Sequence, residues 1–577
     1  MELKYHNPKV HPVAIALIGI FAFFVLFNLG LRRFWLDECV SNILAANILK
    51  YNYPYVYDGT YFMTALNGND SNEYAIEAWY SWLPFYIQAL FMWLFGKGEF
   101  FLRLPNALFG IISAVYFYKV LQSLSASRFI QHVALLFYVF SVPVILYVRT
   151  AHYYAGVLCF TNMSLYYFIM LMKQESGLKF LIAFCLSMIL FFHINFGMFL
   201  IPALAYILAT PFFKPSKKLL RQLLIVYFIV FLFTAPWFVY ILETTRGIKA
   251  GTFIGVTTVK DMLTRTFMYI SKLQTYFFPL ISIAFLYGII SLARKLSGKT
   301  PATEISRNII LLSFTFLFST ILINILFEPF AYSRRLLPAI PLAILLGTYI
   351  LYLIYKMSKV WALASILLIL STNVLSFLPW KLLGSTNFPL HRSVFIQTPV
   401  TLQTLVQGNT FGYLKNEKEF RIHFVDLYHE LTINVKNRTD KIIDYLHANA
   451  LPGESLVCTA VEAPKIYYYT GLRIVNQLNP DGSAYGPLGA LYYKSYPNAK
   501  KYKSLDYAPD DSIDWIIYQD LIPFPFHESD YLKKNELKYE KIHINAPNAF
   551  IESTSEPDNH SFRQEKNCDG IFIYHKW

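Results

Sequence analysis

The stretch PVAIALIGIFAFFVLFNLGLRRFWLDE, Pro12 to Glu38, joins an apolar run to two arginines and two adjacent carboxylates. The run 12–30 is long enough to cross a bilayer. Its backbone amides must be satisfied within the segment, so it reads as a helix. A charge inside a membrane is costly, which makes Asp37 and Glu38, at the edge, functional candidates against the plain alternative of a solvated helix end. Lys4 and Lys9 precede the run and no small-residue cleavage site follows it. It therefore reads as an uncleaved first span with a cytoplasmic N-terminus.

The same texture recurs along the 577 residues, which are 55% hydrophobic, 18% aromatic and only 15% charged. Apolar runs lie at 12–30, 101–121, 130–148, 153–172, 178–193, 196–213, 219–241, 275–293, 307–327, 334–355 and 359–379. A barrel would show short alternating strands instead. The expected fold is an all-α polytopic membrane domain over 1–380, with about eleven spans plus interfacial helices, followed by a C-terminal soluble α/β domain over 381–577. The net charge of +14 sits mostly between apolar runs. It suits anionic lipid head groups and cytosolic loop ends, and is not read as nucleic-acid binding.

Residues 81–96 decide the topology. If they do not cross, the basic loops at Lys119 and Arg128, Lys173 and Lys179, Lys214 to Arg221, Arg294 to Arg307, and Lys356 and Lys359 all share one side, which positive-inside bias makes cytosolic. The stretch is short, opens on Leu83-Pro84 and carries Gln88, so it reads as a juxtamembrane helix in the outer interface. The first loop 31–100, the turn from Arg149 to Tyr153, the turn at His193, the loop 243–274 with Arg246 and Lys249, and the segment from Glu328 to Arg335 then converge outside. So does the C-terminal domain. This describes a multi-pass protein of the cell (inner) membrane with an external, or periplasmic, tail.

The tail carries a helical pattern at Thr439 to Ala448 and strand-like runs at Ser455 to Val461, Ile513 to Tyr518 and Gly570 to Tyr574. Asn437-Arg438-Thr439 and Asn559-His560-Ser561 fit the N-glycosylation pattern. The five cysteines lack metal spacing, and Cys458 and Cys568 in the tail could pair.

The outer face thus collects carboxylates at Asp37, Glu38 and Glu77, and cations at Arg149, Arg246, Lys249, Arg334 and Arg335. Group transfer from a phosphate-linked donor requires this combination: an acid to take a proton from an acceptor hydroxyl, and arginine forks to hold the departing phosphate. His152 and His193 are either metal ligands or satisfied polar residues, and no paired His or Cys supports the former. Glu77 either joins the site or forms the polar start of the interfacial helix.

The order of motifs resembles a known family. One span leads to Leu36-Asp37-Glu38, then an aromatic loop to Leu83-Pro84-Phe85-Tyr86, then Gly96 to Pro105. Arg149-Thr150-Ala151-His152-Tyr153-Tyr154 and Arg335 to Pro341 follow. Over roughly residues 12–380 this resembles the C-type (GT-C) integral-membrane glycosyltransferases, near the protein mannosyltransferases, the lipid A aminoarabinose transferase and the rhizobial lipopolysaccharide glycosyltransferases. The resemblance implies transfer of a sugar, with inversion, from a polyprenyl-phosphate carrier to a glycolipid, glycan or protein acceptor on the outer face. It maps the family acid onto Asp37 with Glu38 beside it, the Arg-x-x-x-Tyr turn onto Arg149 and Tyr153, and the cationic start of the late helix onto Arg334 and Arg335. In relatives the loop after residue 241 is a mobile cover for the donor. One departure is that Glu77-Ala78-Trp79-Tyr80 lacks the lysine often found there, which leaves open both the role of Glu77 and whether Glu38 positions Asp37 or a divalent metal ion. The rival class is a transporter or flippase of lipid-linked intermediates, although repeated halves and midplane charges are not apparent.

Overall fold

The computed structural model describes residues 10–58, 61, 63, 76–125, 127–173, 177–245, 259–298, 306–327, 332–376, 389–392, 399–401, 422–434, 436–458, 463–474, 513–519, 538–544 and 571–576. The chain is mostly helical. The elements that frame the site are α1 (Pro12–Leu26), α2 (Leu36–Tyr51), α3 (Leu83–Phe95), α4 (Glu99–Leu124), α5 (Arg128–Val139), α6 (Val142–Val148), α7 (Tyr154–Met172), α8 (Leu178–Ile194) and α9 (Phe196–Ala209). After these come α10 (Lys217–Thr245), α11 (Val259–Lys272), α12 (Leu280–Leu296), α13 (Arg307–Phe327), a 3-10 turn Ser333–Ala339, α14 (Ile340–Met357) and α15 (Lys359–Ser371).

Every apolar run picked from the sequence forms helix over most of its described residues. By length and composition, however, six helices among the described residues can cross a membrane, or eight if the bent pairs α5 with α6 and α11 with α12 each form one span. The count of about eleven is not reached because α1, α8 and α15 have 15, 17 and 13 residues. At 1.5 Å per residue such helices fall short of a hydrocarbon core of about 30 Å. The α1 run stops as a helix at Leu26, and Phe27 is extended. Helix α3 has 13 residues, opens with Pro84 in its first turn, and exposes Leu90, Trp93 and Leu94. That length suits an interfacial helix better than a span.

Close packing in the bundle positions the site. A Cβ on Gly110 of α4 would lie 2.7 Å from Val148 Cβ on α6, so only glycine admits this approach. One large core fills the bundle. A second core unites the first loop with the tail, where Phe34, Cys39 and Ile43 pack with Phe85 and with Ile442, Ile466, Trp515 and Ile573.

The tail contributes a short antiparallel pair, β1 (Pro389–Arg392) and β2 (Pro399–Thr401), then α16 (His423–Thr432), α17 (Arg438–Asn449), β3 (Ser455–Val457), α18 (Ala463–Thr470), β4 (Arg473–Ile474), β5 (Trp515–Gln519), β6 (Tyr539–His543) and β7 (Ile571–Lys576). The last five strands form a sheet in the order β4-β3-β5-β7-β6. Strands β4, β3 and β5 are parallel, with α18 linking β3 to β4, while β7 runs antiparallel to β5 and β6. Asn437 caps α17 and is buried, its Oδ1 accepting from Asp440 N at 2.8 Å. A cap of this kind contributes about 1 kcal/mol. Asn559, Cys568 and the 380/381 boundary lie outside the described residues.

The tail grips the stretch that leads into α2. Arg33 Nη2 bonds Asp444 Oδ1 at 2.8 Å, Phe34 N donates to Tyr469 Oη at 2.7 Å, and Tyr469 donates to Glu99 at 2.9 Å. Tyr467 also donates to Asp58. Tail and first loop therefore lie on the same face.

Candidate active site

Helix α2 starts after the extended residue Trp35, whose N–H donates to Glu38 Oε2 at 3.1 Å. Asp37 and Glu38 in this first turn meet the positive end of the helix dipole, which favours carboxylates there. Adjacent helical residues diverge by about 100°, and here the two acids point to different partners.

Glu38 is fully buried. Arg103 of α4 grasps it with Nε to Oε1 at 2.8 Å and Nη2 to Oε2 at 2.7 Å, and Ala151 N donates to Oε1 at 2.6 Å. With the Trp35 bond, four donors meet its two oxygens. The expectation that Glu38 supports catalysis or a metal is corrected on this geometry, because a carboxylate so occupied is a structural clasp. Arg103 also donates to the carbonyls of Leu29, Arg32 and Arg33. Arg103 lies within the Gly96 to Pro105 motif but has no role assigned from that motif. An arginine in an apolar span was the available signal.

Arg149 departs from expectation in a similar way. Its Nη1 donates to the carbonyls of Phe24, Val25 and Phe27 at 2.7, 3.2 and 2.8 Å, and its Nη2 to Asn28 at 3.1 Å. Where α1 ends early, its last carbonyls have no intrahelical partner, and a guanidinium satisfies them and the negative helix end together. Arg149 is thus turned to α1, which leaves the phosphate-binding expectation without geometric support.

Asp37 faces the other way. Its Oδ2 lies 2.6 Å from Arg334 Nη1 and 3.0 Å from the Tyr154 hydroxyl, and Arg334 Nη1 is 3.0 Å from that same hydroxyl. Arg334 comes from the 3-10 turn before α14 and also covers the Tyr332 ring. The side chains of Asp37 and Arg334 keep 14% and 11% exposure, against 1% for Glu38. Burial raises the Asp37 pKa above its ordinary value, with Arg334 and Tyr154 opposing the rise. Tyr80 next to this group is pushed well up by burial and by the Asp37 charge.

The other candidates divide. Tyr153 packs against His152 and Tyr80 at the margin of the group, while Tyr154, one residue on and not singled out from the sequence, makes the hydroxyl contact. Arg335 is turned toward α9, with Nη1 3.2 Å from where a Gly197 Cβ would sit. Lys272 at the end of α11 reaches the same 3-10 turn, with Nζ 3.4 Å from Ser333 Oγ, and was also missed. Glu77 accepts from Trp79 N at 2.7 Å and Tyr80 N at 3.1 Å, which ties the loop that enters α3. His193 lies against Phe192 near the end of α8. His152 is buried beside Ser41. Arg246, Lys249 and Glu328 lie outside the described residues.

No three His, Cys, Asp or Glu side chains cluster suitably for a metal ion among the described residues, and the carboxylate next to Asp37 is filled by Arg103.

The fold, a bundle of apolar helices with a small sheet in its tail, is that of integral-membrane glycosyltransferases of known structure. Residues 81–240 match the family model described as dolichyl-phosphate-mannose-protein mannosyltransferase. The structure is similar to ArnT from Cupriavidus metallidurans in the apo state, with 12% identity, 97% of each chain covered and a TM-score of 0.52. Against the same protein bound to undecaprenyl phosphate the identity is 11%, the coverage is again 97% of each chain, and the TM-score is 0.50. No curated protein matches the chain by sequence.

Proposed function

We propose that this chain is an inverting glycosyltransferase that moves a sugar, a hexose or a pentose, from a polyprenyl-phosphate carrier to a glycolipid, glycan or protein acceptor on the outer face of the membrane. The observation that carries this reading is the Asp37, Arg334 and Tyr154 contact, a carboxylate and a guanidinium held together at one end of α7 and α14. A neighbour of the same fold binds undecaprenyl phosphate, and the matching family model is named for a dolichyl-phosphate donor, which supports the carrier class.

In this reading Asp37 takes the proton of an acceptor hydroxyl. The oxygen attacks the anomeric carbon from the side opposite the phosphate, and the bond from that carbon to the phosphate oxygen breaks with its electrons on the phosphate. Arg334 neutralises the departing charge, and Lys272 adds a second cation near the same turn. Before donor binding Arg334 holds down the basicity of Asp37. A phosphate that draws Arg334 to itself restores it, which couples the base to an occupied donor site.

The test compares glycolipids and envelope glycans by mass spectrometry from cells carrying Asp37 or Asp37→Asn. The product should vanish while membrane insertion persists, and full activity in the variant sinks the assignment. Orientation is tested with Gly98→Cys, which an impermeant maleimide should label from outside. Protection there would overturn the outer-face reading.

A further inference from the structure

His152 stands next to this chemistry without a part in it. It occupies the turn between α6 and α7, 1% exposed, with Tyr153, Tyr154 and Tyr80 around its ring at centroid distances of 4.1, 4.8 and 5.5 Å. Its Nδ1 is 2.6 Å from Ser41 Oγ, and Ser41 Oγ is 2.9 Å from the main-chain oxygen of Asp37. A carbonyl only accepts, so the single Ser41 proton goes to Asp37, and His152 Nδ1 must carry the proton it shares with Ser41. Nε2 is then a bare acceptor.

That acceptor is buried and has no hydrogen-bond partner among the described residues. Leaving such a group unmet is costly. Ser41 follows Asp37 by one turn on the same face of α2, about 5–6 Å between their Cβ atoms, and His152 is bonded to that Ser41 and packs on the Tyr154 ring whose hydroxyl meets Asp37. The Tyr154 hydroxyl next to it is committed to Asp37. A bare lone pair near the Arg334 cation is electrostatically preferred to an N–H. Burial and that cation also hold the imidazole well below its ordinary pKa, so it stays neutral.

We propose that His152 is a substrate-binding residue whose Nε2 accepts a hydrogen bond from a sugar hydroxyl in the Asp37 site, with Ser41 fixing the tautomer. This rests on the glycosyl-transfer reading. The hydroxyl belongs to the transferred sugar or to a glycan acceptor, and the two sources differ only in which substrate loses affinity when it is removed. A site built around such a bond discriminates strongly against analogues lacking the hydroxyl.

The test uses the full chain in detergent with a panel of polyprenyl-phosphate-linked hexoses and pentoses and their deoxy analogues. His152→Asn keeps an amide at the Nδ1 position for Ser41 and deletes Nε2. It should lower kcat/KM roughly 10- to 100-fold. His152→Gln, which returns an oxygen near Nε2, should recover most of that loss. One deoxy analogue should be as poor for the wild type as for His152→Asn, and whether KM rises for donor or for acceptor names the source. Wild-type rates in His152→Asn, or equal discrimination against every deoxy analogue in both proteins, overturn the proposal. If the wild type turns over no panel member, the transfer reading fails separately. Nitrogen NMR of labelled histidine then decides: an Nδ1-protonated ring whose Nε2 signal shifts with the panel upholds the inference, and an Nε2-protonated ring, or no shift with the panel, overturns it.

Discussion

Two carboxylate and arginine pairs sit one residue apart in this molecule, and they are built differently. Glu38 with Arg103 is bidentate and closed to solvent, and it is buttressed by two main-chain donors. Asp37 with Arg334 touches through one nitrogen and one oxygen, shares a tyrosine hydroxyl, and keeps partial exposure. The first has no valence left for a ligand, so it can only hold α1, α2 and α4 together. The second can exchange partners, which a reacting site requires. Burial separates them by little, 1% exposure for the Glu38 side chain against 14% for that of Asp37. The count of satisfied lone pairs separates them.

The widest split between the pairs should come from neutralising each acid. Asp37→Asn should cut transfer by about 10²- to 10⁴-fold, the usual scale for a general base, with an unchanged thermal midpoint in detergent. Glu38→Gln should instead destabilise the fold by about 3–5 kcal/mol, because it strands the buried Arg103 charge. Loss of monodisperse protein and of thermal stability would show it. A Glu38→Gln protein as stable as the wild type would erase the distinction.

The pH dependence sharpens the comparison next. Asp37 must be ionised to act as a base, so activity falls as pH drops through its pKa. Since burial raises that pKa, the acid limb of kcat/KM should lie above the ordinary 3.8. Arg334 opposes the rise, so Arg334→Gln should move the limb further up while weakening donor binding by tenfold or more. A limb that stays in place would mean that the pair is not intact in the working enzyme. The smallest effect belongs to the tail contact. Arg33 and Asp444 are 25% and 35% exposed, and Asp444→Asn should cost less than about 1 kcal/mol by thermal melts.

Much of this was legible beforehand, for physical reasons. Apolar runs must be helical in lipid, and the runs from Pro12 to Ser371 are so over most of their described residues. The apolar runs and turn signals around Ser455, Ile513 and Gly570 became β3, β5 and β7. Asp37 and Arg334, 297 positions apart, were placed on one face by charge bias alone, and they meet at 2.6 Å. Arg149 and Glu38 were legible as outer-face charges, but their partners were not. Arg149 turns to α1 only because that helix ends at Leu26 and leaves carbonyls to be met. Tyr154, rather than Tyr153, reaches the acid because of how α7 is rotated.

The sequence by itself determined the membrane class and the helical runs. Those follow from the cost of exposing polar backbone and charge to lipid, which is local and additive along the chain. The tertiary structure alone decided which of two neighbouring acids stays exchangeable, which arginine it meets, and that the tail shares a core with the first loop. Those choices depend on helix phase and on close approaches such as Gly110 against Val148. They arise only when elements far apart in the chain compete for the same lone pairs and the same space.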